Sequence, residues 1–190
     1  MIRMTAIVLL VAMAAWSLFQ AGQVQGKAWL GQQLLERAWN RSLDRGETVE
    51  PWPGAISHPI ARLSMPRLDL DHLVLDGADT PILAWGPGME TGPNGQRLIA
   101  AHRDTHFRAL RSIEPGDRAR LQHVDGRIED WTVARIDVVD ARDTRIDMAS
   151  DGNRLLLVTC YPFDASAPGG PMRLVASLHP ASTSSLEEAL

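Results

Sequence analysis

Residues 153–164 read NRLLLVTCYPFD and hold the chain's single cysteine, Cys160. Leu155, Leu156, Leu157 and Val158 form an unbroken apolar run, followed by Thr159 and Cys160. Such a run, stopped by Tyr161 and Pro162, predicts a strand buried on both faces and ending at the cysteine. Two readings of Cys160 follow. Free cysteine packs well as a small core hydrophobe. At a strand end beside a base or a cation it becomes a nucleophile, because the thiolate is the attacking form. This stretch alone leaves both readings open.

The segments around it predict a mainly β domain. Residues 171–180, PMRLVASLHP, alternate: Met172, Leu174, Ala176 and Leu178 share one face, with Arg173 and Val175 on the other. Residues 96–104, QRLIAAHRD, place Leu98, Ala100 and His102 on one face and Ile99 and Ala101 on the opposite one. Residues 117–140 predict a hairpin, with Asp125-Gly126 as a type I′ turn. Residues 61–79 contain two short strands, with Pro66 at an edge or a bulge. Short helical turns fit residues 104–113 and 80–85. Many short strands punctuated by glycine and proline predict a barrel or sandwich.

The chain has 190 residues, 45% of them hydrophobic, and a net charge of −4, enough for one packed domain plus an extension. No lysine or arginine run supplies a nucleic-acid footprint. A single cysteine excludes an internal disulfide. Residues 4–19 are apolar behind Arg3, and residues 4–26 carry no charge. A bilayer core takes roughly 20 apolar residues as a helix. No A-x-A cleavage pattern follows this run, so residues 1–26 are expected to be an uncleaved membrane signal-anchor. Arg3 is then on the inner side and the rest of the chain in the extracytoplasmic or periplasmic space. Residues 27–52 are expected to form an amphipathic helix, over Lys27–Asn40 with Trp29, Leu30, Leu34, Ala38 and Trp39 on the apolar face, followed by a linker. Residues 53–180 form the expected β domain, and 181–190 a flexible tail.

Cys160, His102 and Arg173 each fall at or near a strand end. An imidazole takes and returns a proton beside a thiol. An arginine offers permanent, directed donors to a developing oxyanion. Three adjacent strands would bring the three side chains to one barrel rim. Spacing alone does not choose His102 over His106 or His123.

Three segments also resemble a known family. LLLVTC (155–160) is similar to the sortase signature, in which Leu-x-Thr-Cys closes a strand. AAHRDTHFRAL (100–110) is similar to the segment carrying the sortase histidine, and PMRLVASL (171–178) to the last strand, which carries the arginine. EPGDRARL and DGRIEDWTV are similar to the family's middle hairpin. The order His, Cys, Arg is the family's order, and the resemblance covers about residues 55–179. Leu156 departs from it, since the family often has threonine there. The small size and the HRDTHF segment are closer to the sortases of Gram-negative bacteria. The resemblance implies a closed sortase-type barrel with short helices. It makes Cys160 the nucleophile, His102 the general acid/base and Arg173 the substrate clamp and oxyanion stabiliser. Thr159, Ala101 and Leu157 are the expected substrate-binding positions. The implied reaction is transpeptidation, with no cofactor and no metal. Its partners are a protein with a C-terminal sorting signal like Leu-Pro-x-Thr-Gly and an amine acceptor.

Other readings fit less well. An L,D-transpeptidase needs arginine two residues after its cysteine, where this chain has Pro162. The HRD at 102–104 lacks the asparagine of a kinase loop, since Ala109 stands there. Asp69, Asp71, Asp76 and Asp79 have no EF-hand spacing and read as a solvated face. An envelope cysteine peptidase acting by hydrolysis and a non-catalytic, membrane-tethered β-domain are the two remaining alternatives.

Overall fold

The computed structural model describes residues 2–149, 153–165, 167 and 169–181. The expected tail lies outside the described residues except for Ala181. Two compact units are present, Met1–Leu34 and Leu35–Leu190.

The first unit is the N-terminal part of α1 (Ile2–Arg45). Met4, Leu10, Met13, Trp16, Trp29 and Leu30 are exposed on it. Among the described residues, no helix is long and apolar enough to cross a membrane. Most side chains of residues 4–19 lie outside the described ones.

The second unit is a closed eight-stranded barrel with the last turns of α1. The strands are β1 (Pro59–Met65), β2 (Leu70–Asp76), β3 (Gly88–Thr91), β4 (Arg97–Ala100), β5 (Arg118–His123), β6 (Ile128–Asp140), β7 (Leu155–Cys160) and β8 (Met172–Pro180). Their order around the barrel is β1-β2-β3-β4-β7-β8-β6-β5. The β2–β3 and β4–β7 pairs are parallel, and the others antiparallel.

The alternation read from the sequence sets which side chains fill the barrel. Ile99 and Ala101, Leu155 and Leu157, and Leu174, Ala176 and Leu178 are all in one buried cluster with Leu63, Leu121 and Trp131. Phe107 and Leu110, from the connection after β4, complete it with no exposed surface. Each fully buried large apolar side chain contributes roughly 1.5–3 kcal/mol. β7 is buried on both faces over Leu155, Leu156 and Leu157, as its apolar run predicts.

Several local features differ from the sequence reading. Residues 27–45 belong to one continuous helix with residues 2–26, and it ends at Gly46, not near Asn40. Gly46 has a φ of 69°, and its N–H donates to the Ser42 carbonyl at 2.8 Å. This left-handed helix stop favours glycine. The buried residues of this part of α1 are Gly31, Leu35, Ala38, Trp39 and Ser42, whereas Trp29 and Leu30 of the expected face are exposed and Leu34 is half-buried. Leu35 and Trp39 pack with Leu73, Leu75 and Ile82, and Trp52 and Trp85 lie against this second cluster. The compact unit therefore begins within the helix, ahead of Pro53, and Trp52 of the expected linker is packed.

The β5–β6 turn is not type I′. That turn needs positive φ at both central residues. Here only Gly126 has one, 81°, and its N–H donates to the His123 carbonyl at 2.9 Å. The hairpin therefore has a longer loop closed by a left-handed glycine. Pro66 opens a 3-10 turn, Pro66–Leu68, between β1 and β2 and interrupts neither strand.

Candidate active site

Cys160 closes β7. Its neighbour Thr159 points into the barrel, so Cys160 projects from the outer face, where it is partly exposed. Across the antiparallel β7–β8 pair, Cys160 stands directly opposite Arg173. Directly opposed residues have side chains on the same face, roughly 5 Å apart at Cβ. The sequence reading of these two positions thus translates into one shared surface.

His102 comes from the other side of β7. β4 and β7 run parallel, with Ala100 paired to Val158. The Ala101 N–H donates to the Val158 carbonyl at 3.2 Å, extending the ladder one residue. The same register carried one residue further brings His102 level with Cys160, one strand spacing away. The His102 carbonyl accepts from the N–H of Phe107 at 3.1 Å, and Phe107 is sealed in the core. The backbone carrying the imidazole is thus fixed, and His102 itself is exposed.

The three expected substrate-binding residues have a different place. Leu157 is 0% exposed, Ala101 5% and Thr159 2%, and all three face the barrel interior. The Thr159 hydroxyl donates to the Ala101 carbonyl at 2.8 Å. It staples the residue before Cys160 to the residue before His102. Buried in this way, the three side chains present little surface at the rim. Their part is to hold the two strand ends together.

Arg173 donates through Nη1 to the carbonyls of Gly170, at 2.7 Å, and Met172, at 2.9 Å. Its Nε and Nη2 have no partner among the described residues. One edge of the guanidinium is therefore anchored to the backbone of its own loop.

Two clefts flank this rim. One of about 400 Å³ is lined by Arg111, Ser112, Tyr161, Pro162, Phe163 and Asp164, immediately after the cysteine. Tyr161 and Phe163 meet edge to face at 6.3 Å, and Arg111 lies over the Phe163 ring at 6.0 Å. The other, of about 490 Å³, includes His72, His106 and Arg108. His72 and His106 stack edge to face at 5.2 Å. Burial, with the neighbouring His72 and His102 adding to it, holds the His106 pKa down to about 4. His106 is thus neutral at pH 7. It lies beside the site, not in line with Cys160. Among the described residues, no three side chains of metal-ligating type converge. Asp71, read as part of a solvated acidic face, pairs with Arg62 at 2.6 Å.

One buried charge was missed in the sequence. Arg103, directly after His102, is only 3% exposed. Its position next to the histidine was the available signal, masked by a reading of HRD as a tripeptide.

This fold has counterparts in known proteins. The solved structure of sortase A from Corynebacterium diphtheriae superposes with a TM-score of 0.59 at 24% identity, covering 74% of this chain and 68% of that one. A Clostridium perfringens sortase D5 transpeptidase gives 0.60 at 17% identity, over 80% and 99%. At these identities the likeness is one of fold. Sortase D of Bacillus subtilis is 32% identical over 107 residues, which are 53% of this chain and 54% of that protein. The chain thus matches only about half the length of this curated relative. The sortase domain family matches residues 63–181, a span containing every strand from β2 to β8 together with Cys160, His102 and Arg173. With that match over more than half its length, the chain belongs to the sortase family.

Proposed function

We propose that the protein is a membrane-anchored cysteine transpeptidase. Cys160 attacks the Thr–Gly carbonyl of a sorting signal resembling Leu-Pro-x-Thr-Gly. His102 takes the thiol proton and returns it to the departing glycine amine. The acyl group stays on sulfur as a thioester until an amine acceptor attacks it, regenerating the thiol. Splitting the reaction in this way replaces one hard step with two easier ones. Arg173 directs its free edge at the carbonyl oxygen, where negative charge develops.

The observation that carries this reading is the geometry at the end of β7: Cys160 faces Arg173 on one side, and on the other the β4 register, which ends at Ala100 opposite Val158, leads on to His102. Further support comes from a Clostridium perfringens sortase C, solved with the C-terminal cell wall sorting motif, with a TM-score of 0.56 at 16% identity. The anchor rests on the uncharged segment 4–26 behind Arg3. It places residues 1–26 in the cytoplasmic membrane and residues 53–180, the catalytic part, on the extracytoplasmic side.

Intact-protein mass spectrometry with a library of Leu-Pro-x-Thr-Gly-type peptides and an added amine tests the reaction. The expected result is a thioacyl adduct and an amine-ligated product, both absent in Cys160→Ala. Hydrolysed peptide alone, with amine present, makes the protein a peptidase. The absence of any adduct, with Cys160 resistant to alkylation in the folded protein, returns it to a non-catalytic β-domain. Membrane fractionation of the full chain against a variant lacking residues 1–26 tests the anchor.

A further inference from the structure

The loops that leave the two catalytic strands are joined by one side chain. Arg103 donates through Nη1 to the Pro162 carbonyl and through Nη2 to the Ala165 carbonyl at 3.4 Å. Its Nε and Nη2 also donate to the Asp104 carboxylate, at 2.9 and 3.2 Å. The residue after His102 therefore grips two carbonyls in the segment that follows Cys160.

Burying a guanidinium is unfavourable unless its donors are met. Here they are met in a specific way. The carboxylate of Asp104, itself 64% exposed, takes one edge of the fork and compensates the charge from the solvent side. The other edge is then aimed at the carbonyls. A planar fork fixes direction as well as distance, which an ammonium on a flexible stem does not. The barrel does not need this tie, since β4 and β7 are already joined by their backbone ladder and by the Thr159 hydroxyl. What the backbone ladder leaves unset is the path of the two chains beyond the strand ends. Arg103 is also within electrostatic reach of Cys160.

We infer that Arg103 is a positioning residue, locking the loop that carries His102 to the loop that follows Cys160 so that imidazole and thiol keep one fixed separation. This rests on the reading of Cys160 and His102 as nucleophile and acid/base. Arg103 itself exchanges no proton and touches no reacting atom. Small displacements of a catalytic pair cost up to about 100-fold in rate.

The test uses the full chain carrying Arg103→Lys or Arg103→Met, with His102→Ala and the double variant for reference. Turnover is expressed per folded molecule, from the fraction folded by circular dichroism. Alkylation of Cys160 by iodoacetamide is followed against pH, because the thiolate is the form that reacts. In Arg103→Lys, kcat is expected to fall roughly 10- to 100-fold with KM within about twofold. The alkylation profile should move toward that of His102→Ala. Adding Arg103→Lys to His102→Ala should change that profile no further. The inference is overturned if kcat per folded molecule and the alkylation profile are both unchanged. It is equally overturned if the loss lies wholly in KM or in the unfolded fraction. If neither Arg103 variant folds, Asp104→Ala frees the fork to rotate and should move the alkylation profile in the same direction; an unchanged profile there sinks the idea. If the wild type turns over no sorting peptide, transpeptidation fails as a reading, and the alkylation profiles still decide the role of Arg103.

Discussion

The rim around Cys160 and the wall covered by the end of α1 are built on opposite terms. At the wall, Leu35 and Trp39 are each 2% exposed and pack with Leu73, Leu75 and Ile82. The side chains packed there are leucine, isoleucine and tryptophan, with no titratable group in the buried cluster. At the rim, His102 is exposed, Cys160 is partly so, and one edge of Arg173 has no partner among the described residues. These groups add little to the stability of the barrel, and their backbones are fixed by residues turned the other way: Ala101, Phe107, Thr159 and Leu174. Reactivity and rigidity thus alternate along the same strands, one residue to each face. The two regions should therefore respond differently to substitution, the rim in rate and the wall in stability.

The largest separation is expected from Cys160→Ala, which should abolish the thioacyl adduct and turnover while leaving the free energy of urea unfolding within about 0.5 kcal/mol of wild type, as for substitutions away from structural features. A large loss of stability would place Cys160 in the core after all. His102→Ala should cost about 10²- to 10⁴-fold in kcat, the usual worth of a positioned acid/base. Steady-state kinetics reads this directly.

The converse should hold at the wall. Trp39→Ala removes a fully packed ring and should cost about 3–5 kcal/mol in urea unfolding. Activity per folded molecule should stay within about twofold. A selective fall in kcat would show that the wall and the rim are coupled.

Thr159→Val probes the boundary between the regimes, because Thr159 belongs to the core by burial and to the site by position. Removing its hydroxyl leaves the Ala101 carbonyl without that donor and should cost about 1–3 kcal/mol. Unlike Trp39→Ala, it should also lower kcat, since the staple sits between the two catalytic strand ends. Paired kinetics and denaturation of the same preparation check this.

The smallest effect is expected at His106. Its folded pKa of about 4 lies below the ordinary 6.5, so the unfolded chain binds the proton first on acidification. Stability from this group is complete above pH 6.5 and is lost as pH falls toward 4. The ring is partly solvated, so the loss should be only about 1 kcal/mol. Urea unfolding at pH 7.5 and pH 4.5 should show that increment in the wild type and not in His106→Leu.

What was legible in the sequence follows from what has a period. The strand faces of β4, β7 and β8 were read from alternation or from an apolar run, because side-chain direction in a strand is a local property. The positions of Cys160, His102 and Arg173 at strand ends followed from the same pattern. The β5–β6 turn was located correctly but given the wrong type, since Asp-Gly serves both a two-residue turn and a longer loop closed by glycine. The end of α1 was placed too early because Asn40 and the polar residues after it resemble a stop, whereas Ser42 is buried there, its hydroxyl bonded to the Ala38 carbonyl at 2.9 Å. Arg103 was invisible for a related reason. Its burial depends on the carbonyls of Pro162 and Ala165, which are distant in sequence, and no local pattern announces them.

The parallel pairing of β4 with β7 also bears on how the chain acquires its reactivity. Parallel neighbours cannot be joined by a tight turn, and β5 and β6 intervene between these two in the sequence. Closing so long a loop is entropically unfavourable until the intervening hairpin has docked, which makes such contacts late in folding. During synthesis, the segments carrying Cys160 and His102 therefore stay apart until the barrel closes, and on the proposed reading an incompletely folded chain is also an inactive one.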